Sequence, residues 1–153
     1  MSRSLLFCSA GALLLAVAGA TVQMSAQAPT RPAAPAAARS MPAGNVEHGR
    51  YLAEQVAMCV ECHSGRDSLG NLIQSQRYLG GEMPISPSQG WNRNWATRAP
   101  RNKNLPGYTD EQAMRLLTQG SLDRHGAQLR APMPRFRMSP QDAADVIAFL
   151  RTM

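Results

Sequence analysis

The chain has 153 residues, a formal charge of +6 and 44% hydrophobic residues, enough for one domain with its own core. Only three cysteines are present, Cys8, Cys59 and Cys62, which excludes a disulfide-stapled scaffold. The mild basic surplus favours encounter with acidic partners, and without a basic helix or an obvious reason for an exported chain to meet it, nucleic acid is not an expected partner.

Residues 1–28 read as a secretory leader. Arg3 supplies the positive start, and Leu5 to Ala20 is a run of mostly Leu, Ala, Val and Gly, short for a membrane span. Small-x-small cleavage sites end at Ala20 and at Ala28, and Pro29 makes the second an awkward substrate. An uncleaved leader would instead tether the domain to the membrane. Cys8, beside the bulky Phe7, does not look like a lipid-attachment site. Residues 29–43, rich in Ala and Pro, read as an extended linker, and 44–153 as the working domain. Export places that domain in the periplasm.

Asn45 is a helix cap, with Glu47 near the positive end of the helix. Gly49, Leu52, Ala53, Val56 and Val60 form one helical stripe, and Gly49 suggests the close approach of another helix. The stripe runs into Cys59-Val60-Glu61-Cys62-His63, the attachment sequence of a c-type haem. Two cysteines about one helical turn apart present both sulfurs on one side. The following His63 is then the proximal iron ligand. A zinc site would need two more ligands, and after His63 there are no cysteines and only His125 among histidines. A thioredoxin-like pair would sit beside a βαβ pattern, which is missing, and a disulfide here would close almost no loop.

Residues 64–108 show no sustained period and are expected to be loops around a haem edge. Trp91 and Trp95 either pack on the porphyrin or donate an indole N–H to a propionate. Arg93, Arg98 and Arg101 are alternative donors; with Lys103 they otherwise form a solvated face or a docking patch. Thr109 to Gln112 is a capping-box start, Ala113, Leu116 and Leu117 give the helix an apolar face, and Gly120 ends it. His125 falls in a turn and is expected to be exposed. Met133 lies between Pro132 and Pro134, which restrict its backbone and suit it to hold a sulfur ligand toward iron. Ser139 caps a last helix with Pro140 at its first position. The apolar face of that helix, Ala143, Val146, Ile147 and Leu150 with Phe149 alongside, is a natural partner for the Gly49 stripe.

Residues from about Asn45 to Met153 resemble a class I monohaem cytochrome c, and most closely the bacterial cytochromes associated with periplasmic dehydrogenases. The resemblance rests on Gly49-Arg50-Tyr51-Leu52, Cys59 to His63, Leu116 to Gly120, Met133-Pro134 and Ser139 to Leu150. It implies an all-α fold of three to five helices around one covalent haem, with the first and last helices crossing and a methionine as distal ligand. It also implies a proline carbonyl orienting the proximal imidazole, here that of Pro100, although Pro100-Arg101-Asn102 departs from the usual Pro-Asn step. The expected function is electron transfer rather than catalysis. Partners would be a dehydrogenase, a terminal oxidase or another cytochrome, and the membrane only through an uncleaved leader. The alternatives are an obligate cytochrome subunit of a dehydrogenase complex, and a five-coordinate haem that senses gas or reacts with peroxide.

Overall fold

The computed structural model describes residues 40–88 and 94–153. The leader, most of the linker, Trp91 and Arg93 lie outside the described residues. Four α-helices follow in order: α1 Val46–Tyr51, α2 Cys59–Cys62, α3 Asp110–Thr118 and α4 Pro140–Arg151. One short antiparallel ladder pairs β1, Gly81–Glu82, with β2, Arg98–Ala99. Among the described residues no helix is long and apolar enough to cross a membrane.

Each longer helix begins where its capping chemistry says it should. Asn45 accepts from the His48 N–H at 3.0 Å. Thr109 and Gln112 form a reciprocal capping box, and Ser139 accepts from the Asp142 N–H with Pro140 at the first position. Gly120, at φ +91, supplies the left-handed residue that follows α3.

Gly49, Leu52, Ala53 and Val60 of the expected stripe pack inward, and Val56 does not. Leu52–Val56 continue α1 as a π-helical turn, with Ala57 N–H donating to Leu52 O at 2.7 Å across five residues. That widened turn breaks the 3.6-residue register, so Val56 is 57% exposed rather than part of the buried face. Met58 then takes φ +51, and the cysteine turn α2 begins afresh in a new direction.

The core sits where α1 crosses α4. Ala143, Ala144, Val146, Ile147, Phe149 and Leu150 are buried, each larger aliphatic contributing about 1.5–3 kcal/mol of burial energy. Phe149 meets the ring of Tyr78 edge-on, with centroids 5.7 Å apart. A Cβ on Gly49 would lie 1.9 Å from Asp145 O, so only glycine allows this crossing. Packing starts slightly before the expected boundary at 44: Met41 rests against the core, and Ala43 O accepts from Gln141 Nε2 at 2.9 Å.

Asp145 is 2% exposed and clasps the two helices. Its carboxylate accepts from Asn45 N–H at 2.7 Å, from His48 Nδ1 at 2.7 Å and from Gln141 Nε2 at 2.9 Å. Burial pushes the carboxyl upward, but these donors outweigh it and hold it below the usual carboxylate range. A depressed carboxyl adds stability above its unfolded pKa of about 4, and that stability is lost as pH falls through the lower folded value. Asp145→Asn is therefore expected to cost about 1–3 kcal/mol near neutrality. In denaturant unfolding of the haem-loaded protein, the gap to wild type should narrow steadily below about pH 4. A gap that stays constant down to about pH 2 would contradict this assignment.

Candidate haem site

Cys59 and Cys62 open and close the single turn of α2, which puts both thiols on one short rigid segment. Both are free. Burial pushes the Cys59 thiol up to about 11 and raises that of Cys62 as well. A dithiol redox site needs the opposite shift, since the thiolate is the nucleophile. These are neutral, half-buried sulfurs suited to a permanent covalent bond.

His63 is 8% exposed, and its Nδ1 lies 2.7 Å from Pro100 O. A carbonyl oxygen can only accept, so Nδ1 carries the proton and donates it. Burial holds the imidazole pKa down, only partly countered by that bond, so the ring is neutral. Nε2 then keeps its lone pair and is free to bind a metal. The carbonyl fixes both the tautomer and the ring orientation, as a supporting group does behind a metal-bound histidine. The structure thus brings together two expected residues that stand 37 positions apart.

Met133 is half-buried on the loop between α3 and α4, and its N–H donates to Arg130 O at 3.2 Å. Ser121, fully buried, holds this loop from beneath: its hydroxyl donates to Pro134 O and accepts from Phe136 N–H at 3.2 Å. Gly120 N–H donates to Phe136 O at 2.8 Å, and Met138 N–H to Leu117 O at 3.0 Å. On the other side of Met133, Leu129 N–H donates to Ser121 O at 3.0 Å, so the residues that end and follow α3 anchor the methionine loop at both ends.

Trp95 joins that loop to the histidine. It bridges Ala131, with Ala96 N–H donating to Ala131 O at 2.6 Å, and its own carbonyl accepts from Arg130 at 2.6 Å. Five residues further on, Pro100 reaches His63. Trp95 to Pro100 spans at most about 17 Å even if fully extended, which bounds how far the methionine loop lies from the histidine. The Trp95 indole N–H is buried without a partner among the described residues. An orphaned buried donor is costly unless something absent from the chain accepts from it. With two neutral thiols and an imidazole nitrogen left free, it makes a donor set that fits a haem.

The remaining expected residues are placed differently. Arg98, on β2, is exposed and pairs with Glu82 at 3.2 Å. Arg101 donates to Lys103 O at 3.3 Å. His125 is exposed, and its Nε2 accepts from Arg124. Trp91 lies outside the described residues. Sequence reasoning missed Ser64, Tyr78 and Ser121, buried residues tied to the histidine and methionine segments. A polar residue next to a glycine turn was the only signal for Ser121, and nothing marked the other two.

A family model described as cytochrome c matches residues 46–153, from the first residue of α1 to Met153. No curated protein matches the chain.

Proposed function

We propose that this chain, which belongs to the cytochrome c family, shuttles single electrons between exported redox proteins on a haem c held by His63 and Met133. Membership of the family brings a covalently attached haem c and electron transfer through it, with Cys59 and Cys62 at the anchoring spacing. When bound, that group supplies a one-electron iron couple whose potential the protein sets through axial ligands, burial and hydrogen bonds. The mostly helical class I fold supports the same reading.

The observation that carries the proposal is the His63 Nδ1–H bond to Pro100 O, which presents Nε2 as the proximal ligand. Met133 is the distal ligand, because Ser121 and the end of α3 fix the loop on either side of it. The Trp95 indole N–H is the donor to a propionate. Arg98, already paired with Glu82, assists only from the surface. With His63 and Met133 both holding the iron, the group would pass single electrons and would leave no open site for a substrate.

Partners are a dehydrogenase, a terminal oxidase or another cytochrome, met in the periplasm after export by the leader. Charge distribution supports docking at the methionine side. Arg50, Arg66, Arg77, Arg98 and Arg151 each pair with an acid. Arg124, Arg130, Arg135 and Arg137 are exposed without such a pair among the described residues, in a stretch from 124 to 141 that contains no acid. Unneutralised charge of this kind steers an acidic partner's approach.

Met133→Ala in the purified holoprotein tests the ligation. The oxidised wild type is expected to show a methionine–iron charge-transfer band, which the variant loses, and the reduced variant should bind carbon monoxide rapidly. A variant that keeps the band and excludes carbon monoxide would rule Met133 out as the ligand.

A further inference from the structure

Nothing covalent keeps Pro100 beside His63, so the bond between them is only as good as the chain segments wedged around it. Residues 78–81 are that wedge. On one side, Gly80 N–H donates to His63 O at 2.8 Å, and Tyr78 N–H donates to Ser64 Oγ at 3.1 Å. On the other, Tyr78 O accepts from Asn102 N–H at 3.2 Å and from Lys103 N–H at 3.0 Å, while Gly81 pairs with Ala99. The fit is close. A Cβ on Gly80 would sit 2.7 Å from Ala99 O and 3.0 Å from Pro100 C, and one on Gly81 would sit 2.3 Å from Ser64 O.

Nearly every link in this clasp is backbone to backbone, which any residue could supply. The exception is the Ser64 hydroxyl, 1% exposed and immediately after the histidine. It holds a fully buried Tyr78 in the left-handed region, at φ +60, a conformation that persists in a bulky residue only when its surroundings enforce it. Without that acceptor the Tyr78 N–H would be buried and unpaired, and the segment whose carbonyl holds the Asn102 turn would relax.

We propose that Ser64 is a positioning residue for the proximal ligand: through Tyr78 it sets how closely the Pro100 carbonyl approaches His63 Nδ1, and so the basicity of Nε2. The proposal rests on the reading of His63 as an iron ligand. A stronger Nδ1–H bond makes the imidazole a better donor to the metal and favours the oxidised state. Loosening the clasp therefore raises the reduction potential.

The test uses the full haem-loaded protein with Ser64→Ala, Ser64→Thr and Tyr78→Phe. Two quantities are read: the reduction potential, and the exchange rate of the His63 Nδ1 proton in the reduced protein by NMR. Ser64→Ala is expected to speed that exchange about tenfold, the worth of one buried hydrogen bond, and to raise the potential. Ser64→Thr keeps the hydroxyl and should restore both values. Tyr78→Phe keeps the backbone N–H that Ser64 holds and should leave both near wild type. If Ser64→Ala does not accumulate, Ser64→Gly removes the same acceptor and must move both quantities in the same direction. Wild-type exchange and potential in the alanine or glycine variant would overturn the proposal. His63→Ala separates the two failures: an unchanged haem spectrum there would sink the ligand reading itself, whereas a changed one with an inert Ser64 sinks only the positioning role.

Discussion

Gly49→Val is expected to leave no stably folded, haem-loaded domain. The first side-chain atom alone would lie 1.9 Å from Asp145 O, 2.4 Å from Asp145 C and 3.0 Å from Phe149 Cβ. Two of those are backbone atoms of α4 and cannot swing aside, so the helices must part. Parting them strains the Asn45 and His48 bonds to Asp145 and loosens the packing of Phe149 on Tyr78. Overpacking by itself costs about 1–3 kcal/mol. With the clasp lost as well, the total passes about 4 kcal/mol, a large share of the 5–15 kcal/mol that holds a typical domain together. Thermal unfolding should show a midpoint lower by at least about 15 °C, or no cooperative transition. Arg50→Val is the control. It lies one residue further along on the exposed side of α1, and its pair with Glu47 is solvent-exposed, so it should shift the midpoint by only a few degrees. Equal losses from the two substitutions would mean that the crossing does not depend on glycine.

What the sequence made legible was local chemistry. Asn45, Thr109 and Ser139 announce helix starts because a capping side chain bonds an N–H two or three residues away, within the same short stretch. The cysteine turn and the apolar face of α4 are equally local. The π-helical turn at Leu52–Val56 was not legible, since one extra residue in a turn leaves an apolar stripe looking unbroken while rotating Val56 outward. Nor was the strand pair, because strands of two residues carry no period. Asp145 did leave a trace, as a lone acid in the run Ala143 to Ile147, and burial there had to recruit donors from α1. The link from His63 to Pro100 came from the family resemblance, never from spacing. Its supports at Ser64 and Tyr78 depend on distant loops meeting, which no local pattern encodes.

Changing both cysteines, Cys59→Ala with Cys62→Ala, is expected to remove all covalently attached haem. The mass of the exported double variant should equal that of its polypeptide alone, while each single variant retains one attachment point and some bound cofactor. The structure explains why loss of the cofactor should also reach the fold. Cys59 packs against the core, the imidazole of His63 is 8% exposed, and the Trp95 N–H is buried without a partner among the described residues. An orphaned donor of that kind carries a penalty of about 1–3 kcal/mol if nothing accepts from it. A chain that cannot hold the haem leaves that donor unmatched and strips the packing partner from Cys59 and His63, and unfolding should become broad and occur at much lower denaturant. If the cysteines were instead a structural disulfide, the loop they close is so short that its loss would cost about 2 kcal/mol and leave a cooperative transition. The two outcomes separate in one pair of measurements: intact mass reports the bond, and the unfolding curve reports whether the domain was built around what that bond holds.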